Sequence, residues 1–137
     1  MSKVAVIYWS QTGNTEAMAN AVADGAQEKG AEVTVMTCAE ATVDGYDAVA
    51  LGCPAMGAEE LEDSEFQPMY DDIKDSLVGK KVALFGSYGW GDGEWMRTWE
   101  EDIRDAGVEL AAECLIINET PDDEGIEQCK ALGAALA

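Results

Sequence analysis

Six consecutive residues, Ser10-Gln11-Thr12-Gly13-Asn14-Thr15, bring small hydroxyls, amides and a glycine together directly after the apolar run Val4-Ala5-Val6-Ile7-Tyr8-Trp9. The helix-forming stretch Glu16-Ala17-Met18-Ala19 follows at once. Strand, polar loop and helix start, in that order, offer a phosphate backbone N–H groups and the positive end of a helix dipole. Ser10, Thr12, Asn14 and Thr15 add side-chain donors, and Gly13 lets the backbone come close. No lysine follows Gly13, so the GxxxxGK[ST] arrangement that handles a transferable γ-phosphate is absent. The chemistry on offer is holding a phosphate in place. Taken alone, the same residues also make an ordinary strand-to-helix turn with an Asn or Thr cap.

Two further segments carry unusual side chains. Pro54-Ala55-Met56-Gly57-Ala58-Glu59-Glu60 follows the continuously apolar run Ala48–Cys53. Met56 can lay a polarizable thioether against an aromatic ring, although its spacing equally suits a core methionine. Gly57 suits the first central position of a type II′ turn over Met56–Glu59. Glu59 can accept a hydrogen bond from a ring N–H, or stand as one of many solvated acids. The third segment, Gly86-Ser87-Tyr88-Gly89-Trp90-Gly91-Asp92-Gly93, sets two aromatic rings between glycines. Glycines contribute little packing volume, so these aromatics suit a planar ligand whose polar edge the backbone can reach. The GxGxG pattern here follows the fourth strand and has no acidic ribose ligand suitably downstream, which argues against a dinucleotide. A planar heterocycle with one terminal phosphate fits all three segments: flavin mononucleotide, FMN.

The intervening sequence predicts the elements that would gather these loops. A first helix ends at Gly30 in the C′ position, and Glu32–Thr37 alternates as an edge strand does. Residues 39–46 leave room for one helical turn. Ala48–Cys53 and Lys81–Phe85 are apolar throughout, as parallel strands covered on both faces are. Ser64 is placed to cap a helix over Glu65–Leu77, with Glu65 in its first turn, and Gly79 ends it. A helix over Glu94–Ala106 stops at Gly107, an unbroken strand runs from Leu110 to Ile117, and Pro121-Asp122-Asp123 opens a terminal helix ending near Leu136. The alternation predicts an α/β fold, doubly wound, with a five-stranded parallel sheet in the order 2-1-3-4-5. The three unusual loops then converge at the carboxyl ends of strands one, three and four.

Composition narrows the partners. The 137 residues suit a single domain, long enough to bury roughly two-thirds of the unfolded surface. Eight basic residues against 28 acidic ones give a net charge of −20, with no histidine. Such a field repels nucleic acid and anionic membranes and attracts partner proteins with basic docking surfaces, while disfavouring self-association; a monomer is expected. Salt adaptation or plain solubility would account for the same acidity. Without histidine, Ser-His-Asp and Cys-His catalysis are impossible, and no metal site is expected. Cys38, Cys53, Cys114 and Cys129 are widely spaced, without CxxC, and Cys53 and Cys114 in particular are expected as buried reduced thiols. No signal peptide or long apolar run is recognisable, so the cytoplasm is the expected location.

The motifs SxTGNT, AMGxEELEDSEF and FGSYGWGDGEWMR, each behind its predicted strand, resemble the flavodoxins, most of all the short-chain type of anaerobic bacteria. The resemblance runs the whole chain, 1–137, and the uninterrupted fifth strand lacks the inserted loop of long-chain members. It implies a non-enzymatic, low-potential one-electron carrier with non-covalently bound FMN, shuttling between semiquinone and hydroquinone and substituting for ferredoxin. Carried over by position, Ser10, Gln11, Thr12, Gly13, Asn14 and Thr15 would hold the phosphate. Met56 would cover one flavin face and Trp90 the other. Gly57, Ala58, Glu59, Gly89 and Gly91 would line the ring edge, with Ala55, Ser87 and Tyr88 nearby. In the family the peptide after the glycine matching Gly57 flips on reduction and stabilises the neutral semiquinone. Ala58 stands where related members can carry an acid, which alters the turn and removes a charge. Glu59, Glu60, Glu62, Asp63, Glu65 and Asp92 would oppose the anionic hydroquinone, each by about a kcal/mol or less. An FMN-dependent NAD(P)H/quinone reductase shares this fold but needs a nicotinamide site, for which the short chain has little room. A phosphoacceptor receiver needs acids after strand one and a lysine after strand five, where Trp9-Ser10 and Asn118-Glu119 stand.

Overall fold

Neighbouring residues of the central strands point to opposite sides of one sheet, and both sides are apolar. Val4, Val6, Ala48, Ala50, Ala83 and Phe85 join one buried cluster, while Ala5, Ile7, Val49, Leu51, Val82 and Leu84 join the other. The computed structural model describes residues 2–11, 13–56, 60–89, 91 and 93–137. Within them the chain forms β1 (Lys3–Tyr8), α1 (Asn14–Glu28), β2 (Glu32–Thr37), β3 (Ala48–Gly52), α2 (Phe66–Ile73), β4 (Lys81–Tyr88), α3 (Glu94–Asp105), β5 (Leu115–Asn118) and α4 (Asp123–Leu136). All pairings are parallel and the order is β2-β1-β3-β4-β5. This is the expected doubly wound arrangement, with α1 and α4 packed on one side and α2 and α3 on the other. Strand β2 lies at an edge, as its half-polar pattern requires, and leaves Val35 39% exposed. The single turn expected after it is a 3-10 turn at Cys38–Glu40.

Three expectations are corrected. Strand β4 continues three residues beyond Phe85, because Gly86, Ser87 and Tyr88 pair with Ile116, Ile117 and Asn118. A Cβ on Gly86 would lie 2.2 Å from the Cys53 carbonyl oxygen, so only glycine lets the two strands approach there. The fifth strand is not unbroken from Leu110. Leu110 bridges to Val82 and Leu115 pairs with Phe85, so three steps along β4 are answered by five along the other chain. The surplus residues leave the ladder as a bulge does, and the regular strand begins only at Leu115. The second helix ends early, its last turn tightening into a 3-10 turn at Lys74–Leu77.

All four cysteines are free. Cys53 and Cys129 are buried, whereas Cys114 and Cys38 are half-buried, so Cys114 is more open than its apolar surroundings suggested. Burial raises every thiol pKa, Cys38 to about 11 and Cys114 and Cys129 to about 12, which keeps them protonated. Among the described residues no helix is long and apolar enough to cross a membrane.

Candidate functional site: a neutral cleft at the carboxyl end of the sheet

The parallel order brings the loops after β1, β3 and β4 to one end of the molecule. There they enclose a cleft lined at one end by Gln11, Asn14 and Thr15 and at the other by Ala55, Met56, Tyr88 and Gly89. Pro54, Ser87 and Glu119 complete the lining, and no Lys or Arg is among these residues. Ser10 and Gly13 face an adjoining groove with Trp9 and Glu16. Gly91 lies outside both sets of lining residues and is exposed. Thr12, Gly57, Ala58, Glu59, Trp90 and Asp92 lie outside the described residues.

The polar end is built around the start of α1. Gly13 occupies the N-cap position with φ 93°, a left-handed conformation that disfavours side chains, and makes no side-chain cap. Ser10 Oγ does that work from outside the helix, accepting from Gly13 N–H at 3.1 Å and Glu16 N–H at 3.3 Å. Ala17 N–H donates to the Gly13 carbonyl at 3.0 Å. The N–H groups of Asn14 and Thr15 stay without an acceptor among the described residues, as the first turn of any helix leaves them. Fifteen residues of helix stand behind those two donors. The hydroxyl of Thr15, nominated as a phosphate donor, is buried and shares a hydrogen bond with Ser87 Oγ at 2.8 Å. It joins β4 to α1, so the hydroxyl is committed within the fold. The exposed carboxylate Glu16 accepts from Tyr8 Oη at 2.8 Å. Burial first, and that carboxylate second, raise the phenol pKa.

The ring end is framed by main-chain bonds between strands and loops. Ala55 N–H donates to the Ser87 carbonyl at 3.0 Å, and Met56 N–H to the Glu60 carbonyl at 3.0 Å. Tyr88 stands half-buried against Trp95, ring centres 5.7 Å apart, and so serves both the core and the cleft. Trp95 Nε1 donates to the Cys53 carbonyl at 3.2 Å.

Sequence reasoning missed a fourth loop. Glu119, after β5, lines the cleft and takes φ 57°, a left-handed conformation that is uncommon for a residue with a side chain. Its N–H donates to the Tyr88 carbonyl at 2.7 Å, which also accepts from Asn118 Nδ2 at 3.3 Å. Thr120 Oγ1 then donates to Asn14 Oδ1 at 3.0 Å. The loop thus ties the ring end to the polar end. The available signal was its position: the topology puts the end of strand five beside that of strand four.

The carboxylates also differ from expectation. Ser64 does not cap α2. Glu62 does, from four residues before the helix, with its carboxylate accepting from the N–H groups of Ser64 (3.0 Å), Glu65 (2.7 Å) and Phe66 (2.9 Å) and from the Ser64 hydroxyl. Burial alone would push this carboxyl up, but the four hydrogen bonds outweigh it and hold its pKa down to about 2. Glu62 is therefore a fixed structural charge, unlike its exposed neighbours Glu60, Asp63 and Glu65.

The residues present fit a planar group carrying a phosphate. The polar end offers amides with no partner among the described residues, a helix N-terminus and neutral side chains, and the other end offers a thioether and a phenol ring.

Comparison with known proteins agrees. The flavodoxin family model matches residues 6–133. A flavodoxin of Megasphaera elsdenii is 47% identical over 98% of both chains, and one of Clostridium beijerinckii is 44% identical over 96% of this chain and 97% of its own. The solution structure of two-electron reduced Megasphaera elsdenii flavodoxin superposes with a TM-score of 0.89 over 97% of both chains. The chain belongs to the flavodoxin family.

Proposed function

We propose that the cleft between Asn14 and Met56 holds the FMN with which this chain, as a flavodoxin, carries electrons at low potential. The observation that carries the assignment is the pairing of the Asn14 and Thr15 amides, which have no partner among the described residues, at one end with Met56 and Tyr88 at the other. Ser10, Gln11, Gly13, Asn14 and Thr15 seat the phosphate, mainly through main-chain N–H groups and the dipole of α1. Ala55 and Met56 flank one side of the ring; Ser87, Tyr88, Gly89 and Gly91 belong to the other. Thr12, Gly57, Ala58, Glu59 and Trp90 complete the set on the strength of the motifs alone. When bound, FMN supplies one-electron transfer at its ring.

The chain's own part is to hold the ring and set the charge around it. Each electron added without a proton must enter a cleft that Glu119 lines and no cation relieves. Each acid costs about 1 kcal/mol or less, and several together lower the potential of the second step. We further read the protein as a monomer of the reducing cytoplasm that is not an enzyme and meets neither nucleic acid nor membrane. It exchanges electrons with proteins whose docking surfaces are basic, in the place of ferredoxin.

An anaerobic reductive titration of the FMN-loaded protein tests this. Two separated one-electron steps are expected, the second well below the first. A single two-electron wave, or NAD(P)H turnover by the protein alone, would overturn it in favour of a reductase. Ser10→Ala should weaken FMN binding about tenfold, as loss of one cap does, and unchanged affinity would remove the phosphate assignment.

A further inference from the structure

The segment between β3 and α2 is closed twice. Glu62 N–H donates to Cys53 Sγ at 3.4 Å, which joins the two ends of the segment. Inside that closure, the Met56 N–H to Glu60 carbonyl bond pins the residues that line the cleft. The outer closure is locked by the Glu62 carboxylate, only 5% exposed, through its four bonds to Ser64, Glu65 and Phe66. The Glu62 carbonyl accepts in addition from Gln67 N–H at 2.9 Å. One residue therefore joins the end of β3, the first turn of α2 and the loop that carries Met56.

Capping a helix does not require this arrangement. Asp122 caps α4 from the ordinary N-cap position, with one bond to Gly125 N–H at 2.8 Å. A carboxylate taken out of water is costly unless every lone pair is used, and removing its partners exposes the whole penalty. Glu62 accepts that condition in the loop that carries Met56 to the cleft. What the burial secures is the closure between Cys53 and the first turn of α2, and with it the place of Met56 in the lining of the cleft.

We propose that Glu62 is a positioning residue for the cofactor, acting through the loop it closes rather than through its charge. The proposal rests on the reading that this cleft holds FMN. Its test compares four FMN-loaded variants by FMN affinity, by the visible circular dichroism of the bound flavin and by the two potentials. Glu62→Asp keeps the charge and shortens the reach. It should weaken FMN about tenfold and change the dichroism, the size that a lost cap carries when converted to affinity. Glu62→Gln should do the same, because its amide turns a donor toward the Ser64 N–H. Asp63→Asn removes an exposed charge from the same segment and should shift potentials without altering the dichroism. Leu136→Ala, in the remote second half of α4, should lower stability alone. The proposal fails if Glu62→Asp matches wild type while Glu62→Gln resembles Asp63→Asn, since charge alone would then explain both. It fails equally if Glu62→Asp behaves as Leu136→Ala does. Failure of the cleft reading itself would show separately, as a Met56→Ala protein whose affinity and dichroism are those of wild type.

Discussion

The two sides of the sheet are packed by opposite means. On the side of α1 and α4 the sheet presents Ala48, Ala50 and Ala83, and the helices meet at a pair of glycines, Gly25 against Lys130 and Gly133 against Val22 and Ala26. A Cβ on Gly25 would lie 2.0 Å from the Lys130 carbonyl oxygen, and one on Gly133 would lie 1.9 Å from that of Val22. Backbone rests on backbone. On the side of α2 and α3 the space is filled by the bulkiest side chains, with Phe66 and Tyr70 edge-on to Trp99 at 5.4 and 6.0 Å. Polar ties join in: Tyr70 Oη donates to Asp102 at 2.8 Å, and Lys74 reaches the same carboxylate at 3.2 Å. The first side carries the end of the cleft at Asn14 and Thr15, and the second lies beneath the loop that carries Met56. The helix proposed to meet the phosphate is held by backbone-to-backbone contact. The loop that carries Met56, proposed to flank the ring, is held by side chains and a buried carboxylate.

If that contrast is right, the two sides should fail differently. Trp99→Ala should cost the most, about 4 kcal/mol, because nothing near so large a ring can collapse into its volume. The loss should appear in denaturant unfolding, with FMN affinity reduced less than stability. Gly133→Ala should cost about 3 kcal/mol although it adds a single methyl, since two helix backbones must part to admit it. Gly30→Ala is the control: its Cβ would meet nothing within 4 Å, so only the positive φ is penalised, by about 1 kcal/mol. Equal losses at Gly133 and Gly30 would mean that α1 and α4 slide apart freely, and the contrast would collapse. In the Gly133 variant FMN affinity should fall along with stability, because α1 moves with its N-terminus.

The Glu62 carboxylate gives the ring side a pH signature. Its pKa lies below the ordinary 4.5, at about 2, so its stabilisation is complete above the unfolded value and disappears as pH falls through the folded one. Cys38 and Cys53, which face it, stay protonated across that range, and Glu65 and Asp63 are exposed. Glu62→Gln should therefore be less stable than wild type by about 2 kcal/mol at neutral pH, the scale of hydrogen bonds to a buried charge. The gap should close between pH 4.5 and 2. A gap that stays constant across the window would show that the carboxylate is not the closing group.

The order of the sheet and the three loops around the cleft were legible because both rest on local signals. Gly30 and Gly107 stop their helices where expected, and both carry φ of 90°. The chain could not disclose which of its many acids is buried, because Glu60, Glu62, Asp63 and Glu65 are chemically alike and only the fold decides which of them meets three amides. Ser64 looked like the cap for the same reason: it is the favoured residue type, yet its hydroxyl donates to the acid two residues earlier. The broken fifth strand escaped because the bulge between Leu110 and Leu115 is dictated by the register of β4, not by any residue within it. Thr15 shows a subtler limit. Its place in the phosphate loop was plain, but its hydroxyl is committed to Ser87, 72 residues away.

The smallest effect tests whether the two ends of the cleft are coupled. Thr120 Oγ1 and Asn14 Oδ1 lie at the surface, 3.0 Å apart, and among the described residues theirs is the one hydrogen bond between the loop after β5 and the start of α1. Thr120→Val keeps the shape and removes the donor. Because water can replace that donor at an exposed site, stability should fall by about 0.5 kcal/mol. If the loop merely sits beside the cleft, FMN affinity should fall by no more than this. If it ties the Tyr88 carbonyl to the phosphate end through Glu119, the backbone at φ 57° loses its restraint on one side and relaxes. Affinity measured by quenching of flavin fluorescence should then fall more than stability does, by about threefold or more. An affinity loss equal to the stability loss would leave α1 and Met56 as independent holders of the two ends, and the stiff side and the adjustable side would act without reference to each other.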